Sequence, residues 1–334
     1  MKSKLVHSYN DIICKANLFS AWQEFVVGKS GKTDVQTFSR NLFDNVEQLH
    51  NELVSKTYQH GGYHSFYIND PKRRHIHKAC VRDRLLHHAI YRLLYPFFEK
   101  TFIYNSYSCR LGKGAYKAIE RFDVMSYKIS KNDTKTAWVL KCDIKKFFDS
   151  IDHTILLRIL NNYISDKDIL WLLNNVIDSY HNENIKGVGL PLGNLTSQLF
   201  ANVYMNIFDQ WVKHKLKAKH YIRYADDFVF FGVDRQQVNS LVEPVRAFLI
   251  NDLRLTLHPK KISQKTVSSG MDFLGWVHFP HYKKLRRRTK ERMFRRLVDK
   301  PKDEVFQSYL GLLSHGDTYK IENDLRNLYW LIGE

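Results

Sequence analysis

The chain has 334 residues, 44% of them hydrophobic, which supports a sizeable core and about two or three domains at ~100–200 residues each. Lysine and arginine number 52 against 34 acidic residues, and a net charge of +18 makes a polyanion, nucleic acid first, the expected partner. No apolar run approaches the ~18–20 residues of a bilayer span, no signal-peptide stretch opens the N-terminus, and Cys14, Cys80, Cys109 and Cys142 are scattered without a C-x-x-C pair. A membrane protein, a disulfide scaffold and a zinc ribbon are thereby excluded, and a cytoplasmic protein is expected.

Residues 1–65 carry helical patches at 19–27 and 38–54. A basic turn at 68–84 is flanked by short extended stretches, and 85–99 repeats apolar pairs about every four positions, as a helix with a buried face does. The alternation in 136–144 predicts a strand with Trp138, Leu140, Cys142 and Ile144 on one face and Asp143 on the other. Asp152 is placed to cap a helix over 153–164. A glycine-rich loop at 187–194 follows, with Thr196 or Ser197 as the cap of a helix over 197–216. The stretches 221–224 and 228–231 flank Ala225-Asp226-Asp227 as two strands of a hairpin. A helix at 237–250, a strand at 253–258, another strand around 273–279, a very basic stretch at 281–296 and a helical tail complete the chain. This mixture indicates an α+β architecture.

Tyr224-Ala225-Asp226-Asp227 is the sharpest local feature. An adjacent Asp pair alone is an ordinary turn signal. Asp143 changes the weighing, because a carboxylate on a hydrophobic strand is costly to bury unless paired or bound to a cation. If that strand lies beside the hairpin, Asp143, Asp226 and Asp227 converge. Hard oxygen ligands suit Mg²⁺. Two such ions ~3.5–4 Å apart serve phosphoryl transfer, one lowering the pKa of a primer 3′-hydroxyl and the other steadying pyrophosphate.

From about residue 65 to 315 the sequence resembles the reverse transcriptase family, with motifs in the family's order. Arg74 with Ile76 resembles the fingers motif, and Ser106-Tyr107-Ser108-Cys109-Arg110 with Gly112 and Gly114 resembles its neighbour. Asp143 to Phe148 matches motif A, Gly189 to Gly193 opening into Ser197-Gln198 matches motif B, and Tyr224 to Asp227 matches motif C. Leu255 to Lys261 resembles motif D, and Phe273-Leu274-Gly275-Trp276 the primer grip. Each motif is weak alone; the ordered set is specific.

The resemblance implies a right-hand polymerase of fingers, palm and thumb, with a small antiparallel palm sheet packed on helices. Its segments would be an N-terminal extension at 1–65, fingers at 66–135, palm at 136–279 with motif B at 187–217, and thumb at 280–334. It implies an RNA-directed DNA polymerase that uses two Mg²⁺ ions, with Mn²⁺ as a substitute. Template RNA, primer and deoxynucleoside triphosphates would be bound, and cDNA made. Asp143, Asp226 and Asp227 would be catalytic and, with Ile144, metal-binding. Lys72 and Arg74 would hold the triphosphate, for which guanidinium forks are suited. Phe148 would exclude a ribonucleotide by closing on the sugar 2′ carbon, whereas Phe147 reads as core. Leu192, Gly193 and Gln198 complete the nucleotide set, and Lys261 is the motif D lysine expected to protonate pyrophosphate, although spacing does not separate it from Lys260. Nucleic-acid contacts fall to Arg110, Lys113, Tyr224, Gly275 and Trp276, and to Lys284, Arg286, Arg287, Arg288 and Arg292 of the basic stretch.

One departure is informative. Most of the family carries Gln before the motif B glycine and Pro after the later serine; this chain has Leu192-Gly193 and Ser197-Gln198. That combination is similar to the polymerases of diversity-generating retroelements, relatives of group II intron enzymes that copy a template RNA with frequent errors at adenines. Leucine offers neither donor nor acceptor. Losing one discriminating polar contact costs ~1–3 kcal/mol, roughly a ten- to hundredfold drop in selectivity. The short stretch after the thumb leaves no room for an RNase H or endonuclease domain, and a small basic accessory protein is an expected partner. Ala225 stands where many of these enzymes have Met. The alternative is an antiphage defence reverse transcriptase copying a noncoding RNA. A non-catalytic maturase is opposed by the intact aspartates, and an RNA-dependent RNA polymerase by Phe148.

Overall fold

The computed structural model describes residues 3–70 and 72–333. Its chain forms two compact units. The first takes the residues up to Tyr104, then Ile144–Lys217 and Arg246–Thr256; the second takes Asn105–Asp143, Ala218–Val245 and the residues from Leu257 onward.

The first unit is mainly helical. Its central pair is the helices Val81–Glu99 and Leu195–His214, which pack together. Leu199, Phe200, Val203, Phe208 and Val212 of the second helix are buried, the spacing of a helical face turned inward. The helix begins at Leu195 with Asn194 as N-cap, so neither Thr196 nor Ser197 caps it. Asn194 instead spends its side chain on a strand: its Oδ1 accepts from Ala79 N (3.2 Å) and its Nδ2 donates to His77 O (2.8 Å). Asp152 does cap the helix His153–Asn161, accepting from Ile155 N at 3.0 Å. The helix Lys167–Asp178, for which the sequence reading had no counterpart, is capped by Asp166 and buries Ile169, Leu172, Leu173, Val176 and Ile177. The basic turn of the sequence joins two strands, β1 (Tyr63–Ile68) and β2 (Arg74–Ala79), paired antiparallel with Ser65 opposite His77 and Tyr67 opposite His75.

The second unit is built on β3 (Trp138–Asp143), β4 (Tyr221–Tyr224), β5 (Asp227–Gly232) and β6 (Ser263–Thr266), in the order β4-β5-β3-β6 with antiparallel neighbours. The helix Ala115–Ile129 lays Ala118, Phe122 and Met125 on Val139, Val229 and Phe231, covering that face at the end far from the β4–β5 turn. The strand expected at 253–258 does not form. Leu253 ends a helix, Arg254 has φ +49°, and the following segment makes only scattered backbone bonds, such as His258 N to Asp143 O at 2.7 Å.

The strand expected around 273–279 is a hairpin. β7 (Met271–Phe273) and β8 (Trp276–His278) are joined by Leu274 and Gly275, both at positive φ as a tight two-residue turn requires, and β9 (Lys283–Leu285) pairs with β8. The helices Arg287–Asp299, Asp303–Leu313 and Tyr319–Gly333 follow, and Met293, Leu297, Phe306, Leu313 and Leu325 cluster with Trp276. Gly316 is required here, since a Cβ on it would lie 2.1 Å from the Trp276 ring. The α+β class is the one observed, and no helix among the described residues is long and apolar enough to cross a membrane.

Candidate catalytic and nucleotide-binding sites

In the second unit, β3 and β5 place Asp143 directly opposite Asp227, and Asp226 precedes Asp227 in the turn that joins β4 to β5. Residues opposite each other on antiparallel neighbours hold their side chains on one face about 4.5–5.5 Å apart at Cβ. Asp143 is buried at 5% exposure, and Asp227 is 28% exposed at its side chain. Burial first, then the neighbouring charges of Asp227 and Asp143, pushes the Asp226 carboxyl up to about 6. The turn is held in a demanding conformation, with Ala225 at φ +53°, a left-handed backbone that costs a non-glycine residue about 1–2 kcal/mol.

Two lysines offset the acids. Lys261 Nζ donates to both Asp143 oxygens (2.8 and 2.9 Å), so of the adjacent lysines it is Lys261 that engages this carboxylate. Lys141 lies two residues before Asp143 and therefore on the same strand face, with its Nζ 3.8 Å from Asp227. Lys141 was absent from the sequence reading, although the period-2 pattern contains it.

The donors suit a hard divalent cation: crowded carboxylates, one of them held partly protonated by the other two. Among the described residues no group of three or more His, Cys, Asp or Glu forms a metal cage. Mg²⁺ does not need one, because it takes one or two carboxylates and completes its shell with water and substrate phosphates. The Ile144 side chain is buried at 1% exposure, so only its backbone is available to a ligand.

The first unit contains a cavity of about 740 Å³, lined by Arg73, Arg74, Lys146 and Arg254 together with Tyr67, His75, His77, Tyr180 and Leu192. Four cations beside aromatic rings suit a nucleoside polyphosphate. Arg73 stacks on Tyr67 (4.3 Å to the ring centre), and Tyr67 stacks on His75 at 4.5 Å. His77 is fixed by Ser65 Oγ at 2.8 Å and by Tyr180 OH at 3.2 Å, and its backbone N donates to Leu192 O at 2.9 Å. Burial, then Asp149 and Glu183, pushes Tyr180 up to about 12, so its hydroxyl stays a donor at neutral pH.

The glycine-rich loop is seated by further backbone bonds. Leu190 N donates to Phe148 O and Gly189 N to Ile151 O, both at 2.8 Å. Gly193, at φ +110°, leaves no space for a Cβ, which would meet Ile76 at 2.8 Å. Phe148 is half-buried in a short 3-10 turn, and Phe147 is core at 3% exposure. Lys72 and Arg74 are exposed, Gln198 is half-buried in the first turns of its helix, and only Arg74 of these three lines the cavity. Of the cavity residues, His77, Tyr180, Lys146 and Arg254 escaped the sequence reading, because their approach depends on contacts distant in sequence.

The expected nucleic-acid contacts divide. Trp276 is corrected: at 1% exposure its ring fills the core, so an outward contact at this hairpin falls to the Leu274–Gly275 turn. Arg110 donates to Ser106 O at 2.7 Å, Lys113 lies over the Tyr107 ring at 5.0 Å, and Tyr224 is half-buried at the end of β4. In the basic stretch Arg286 is paired with Asp272 and Arg287 with Glu291; Lys284, Arg287 and Arg288 are exposed and Arg292 half-buried.

Residues 63–278 match the reverse transcriptase (RNA-dependent DNA polymerase) family. This chain belongs to that family. Its domain is that of an RNA-directed DNA polymerase, a nucleotidyltransferase.

Relatives of this reverse transcriptase include Protein YkfC of Escherichia coli, 27% identical over 265 residues that make up 68% of this chain and 69% of that protein. The group II intron-encoded protein LtrA of Lactococcus lactis is 25% identical over 70% of this chain and 49% of its own length. A putative COX1/OXI3 intron 1 protein of Saccharomyces cerevisiae is 25% identical over 52% of this chain and 22% of its own. The chain thus spans half or less of these two intron proteins. Among solved structures, a telomerase from Candida tropicalis aligns with a TM-score of 0.50 at 12% identity, over 70% of this chain and 58% of that one, a likeness of fold alone.

Proposed function

We propose that this reverse transcriptase extends a primer on a template RNA with Asp143, Asp226 and Asp227 as its metal-binding and catalytic carboxylates. The observation that carries this reading is the register of β3 on β5, which sets Asp143 opposite Asp227 next to the Asp226 turn. Bound Mg²⁺ would activate the primer 3′-hydroxyl and stabilise charge on the leaving pyrophosphate. Lys261 then has two tasks, balancing Asp143 before the ion arrives and giving a proton to pyrophosphate. Arg74, aided by Arg73, binds the triphosphate, and Phe148 rejects the 2′-hydroxyl. Fingers, palm and thumb remain the functional division, with the basic stretch 283–296 following template–primer phosphates.

The finer reading is diversification: error-prone copying at template adenines, in company with a small basic accessory protein. Its support is Leu192, which lines the cavity without a polar side-chain atom where most of the family has an amide. Deep sequencing of cDNA made on a defined RNA, with its partners present, tests this. Wild-type errors should concentrate opposite adenine, and Leu192→Gln should lower them several-fold, since a regained hydrogen bond nets ~0.5–1.5 kcal/mol. Low errors spread evenly over the four template bases would sink diversification and favour the defence role, leaving the polymerase reading intact.

A further inference from the structure

Arg223 is buried in β4 at 1% exposure. Ile222 and Tyr224 pair with Val229 and Asp227, on the sheet face that carries Asp143, so Arg223, opposite Phe228, belongs to the other face. A buried guanidinium is tolerated only where its donors are met. Its Nη1 donates to the carbonyl of Ala225 at 3.1 Å, and its Nη2 donates to Ser106 Oγ at 3.0 Å. Ala225 is the left-handed residue immediately before Asp226.

Ser106 is fully buried and held in place by its neighbours. Arg223 N donates to Asn105 O and Tyr107 N to Arg223 O, both at 3.0 Å, so the segment 105–107 runs parallel along β4. Peptide units share a plane, so fixing the Ala225 carbonyl also fixes the amide of Asp226.

We infer that Arg223 is a positioning residue: from the back of the sheet it sets the Ala225 carbonyl and thereby the aim of Asp226, and Ser106 orients its guanidinium. The inference rests on the reading that Asp226 and Asp227 hold the divalent ion. A lysine has no planar fork to bridge a carbonyl and a hydroxyl at once. Charge alone at this position therefore does not suffice.

The experiment measures Mn²⁺ binding by electron paramagnetic resonance in the full chain without nucleic acid, the Mg²⁺ dependence of primer extension, and template–primer affinity. Ser106→Ala removes one hydroxyl. It should weaken Mn²⁺ binding and raise the half-saturating Mg²⁺ about three- to fivefold, the effect of one lost hydrogen bond. Arg223→Lys should shift both about tenfold or more, with template–primer affinity within about twofold of wild type in both variants. A residue that only stabilised the fold would change the unfolding midpoint without moving the metal dependence. Should Arg223→Lys fail to fold, Ser106→Ala decides. Asp226→Asn is measured alongside: wild-type Mn²⁺ affinity in that variant overturns the carboxylate reading itself. Lost binding in Asp226→Asn, with wild-type metal binding in Ser106→Ala and Arg223→Lys, overturns the role of Arg223 alone.

Discussion

In the helical unit Asp83 has no solvent exposure and is surrounded by donors: Gly61 N at 2.7 Å, Tyr58 OH at 3.0 Å, Cys80 Sγ at 3.2 Å and Arg82 Nε at 3.3 Å, with His60 Nδ1 at 3.5 Å. Burial alone would raise its pKa, but His60, Cys80, Arg82 and the Gly61 amide together hold it below the usual carboxylate range. Asp226 in the sheet unit lies between two other carboxylates and is pushed the opposite way. A carboxylate that its surroundings already satisfy is architecture. One that they destabilise is completed by something from outside, and a cation is the obvious complement.

Substituting each aspartate should separate the two roles. Asp226→Asn should reduce primer extension by at least about a thousandfold, as expected when a ligand worth several kcal/mol of transition-state stabilisation is lost. The protein should stay folded and keep its RNA affinity. Asp143→Asn should behave alike. Steady-state extension in Mg²⁺ is the measurement, and near-normal rates in either variant would remove these residues from the metal site.

Asp83→Asn should do the reverse. An amide brings an NH₂ into a ring of donors and leaves buried groups unmatched, at a cost of roughly 2–4 kcal/mol of stability. The fraction that folds should retain wild-type Mg²⁺ dependence. Urea denaturation checks the first statement and titration of extension with Mg²⁺ the second. A shift in metal dependence without loss of stability would make Asp83 part of the functional machinery and erase the contrast.

The same contrast explains what the sequence made legible. Asp143 on an alternating strand and the Asp pair between two apolar runs are local patterns, and β3, β4 and β5 form there. The alternation of Leu253, Leu255 and Leu257 is also real, since all three are buried at 1% exposure or less, yet it reports burial without a ladder because no strand runs beside them. Trp276 in a basic neighbourhood reads as a base-stacking ring, but Gly316 and the three C-terminal helices take it into the core. The pairing of Arg223 with Ser106 joins residues 117 positions apart and leaves no local signal. The donors around Asp83 likewise come from separate segments, so that residue reads as one more surface acid in a helix.

The smallest expected effect concerns stability against pH, and its sign distinguishes the two aspartates. An unperturbed Asp titrates near ~3.9. Because Asp226 is raised to about 6, the folded state binds more protons than the unfolded one between those values. Stability contributed at this position therefore falls as pH rises through that window, and the full penalty applies above it. For a half-buried side chain, solvent screening reduces the nominal linkage energy, leaving about 1–2 kcal/mol. Asp226→Asn cannot ionise, so without divalent metal it should be more stable than wild type by that amount at pH 7.5, with the difference vanishing near pH 4. Saturating Mg²⁺ should restore the wild type preferentially, since an ion that binds only the folded state stabilises it by mass action. For Asp83 the sign reverses: its folded pKa is depressed, so its contribution is present above the unfolded value and is lost as pH falls through the folded one. Urea midpoints of wild type and Asp226→Asn, with chelator and with Mg²⁺ across this range, provide the measurement. An Asn variant no more stable than wild type at pH 7.5, or a difference independent of pH, would mean that Asp226 is as well satisfied as Asp83 and needs no cation to complete it.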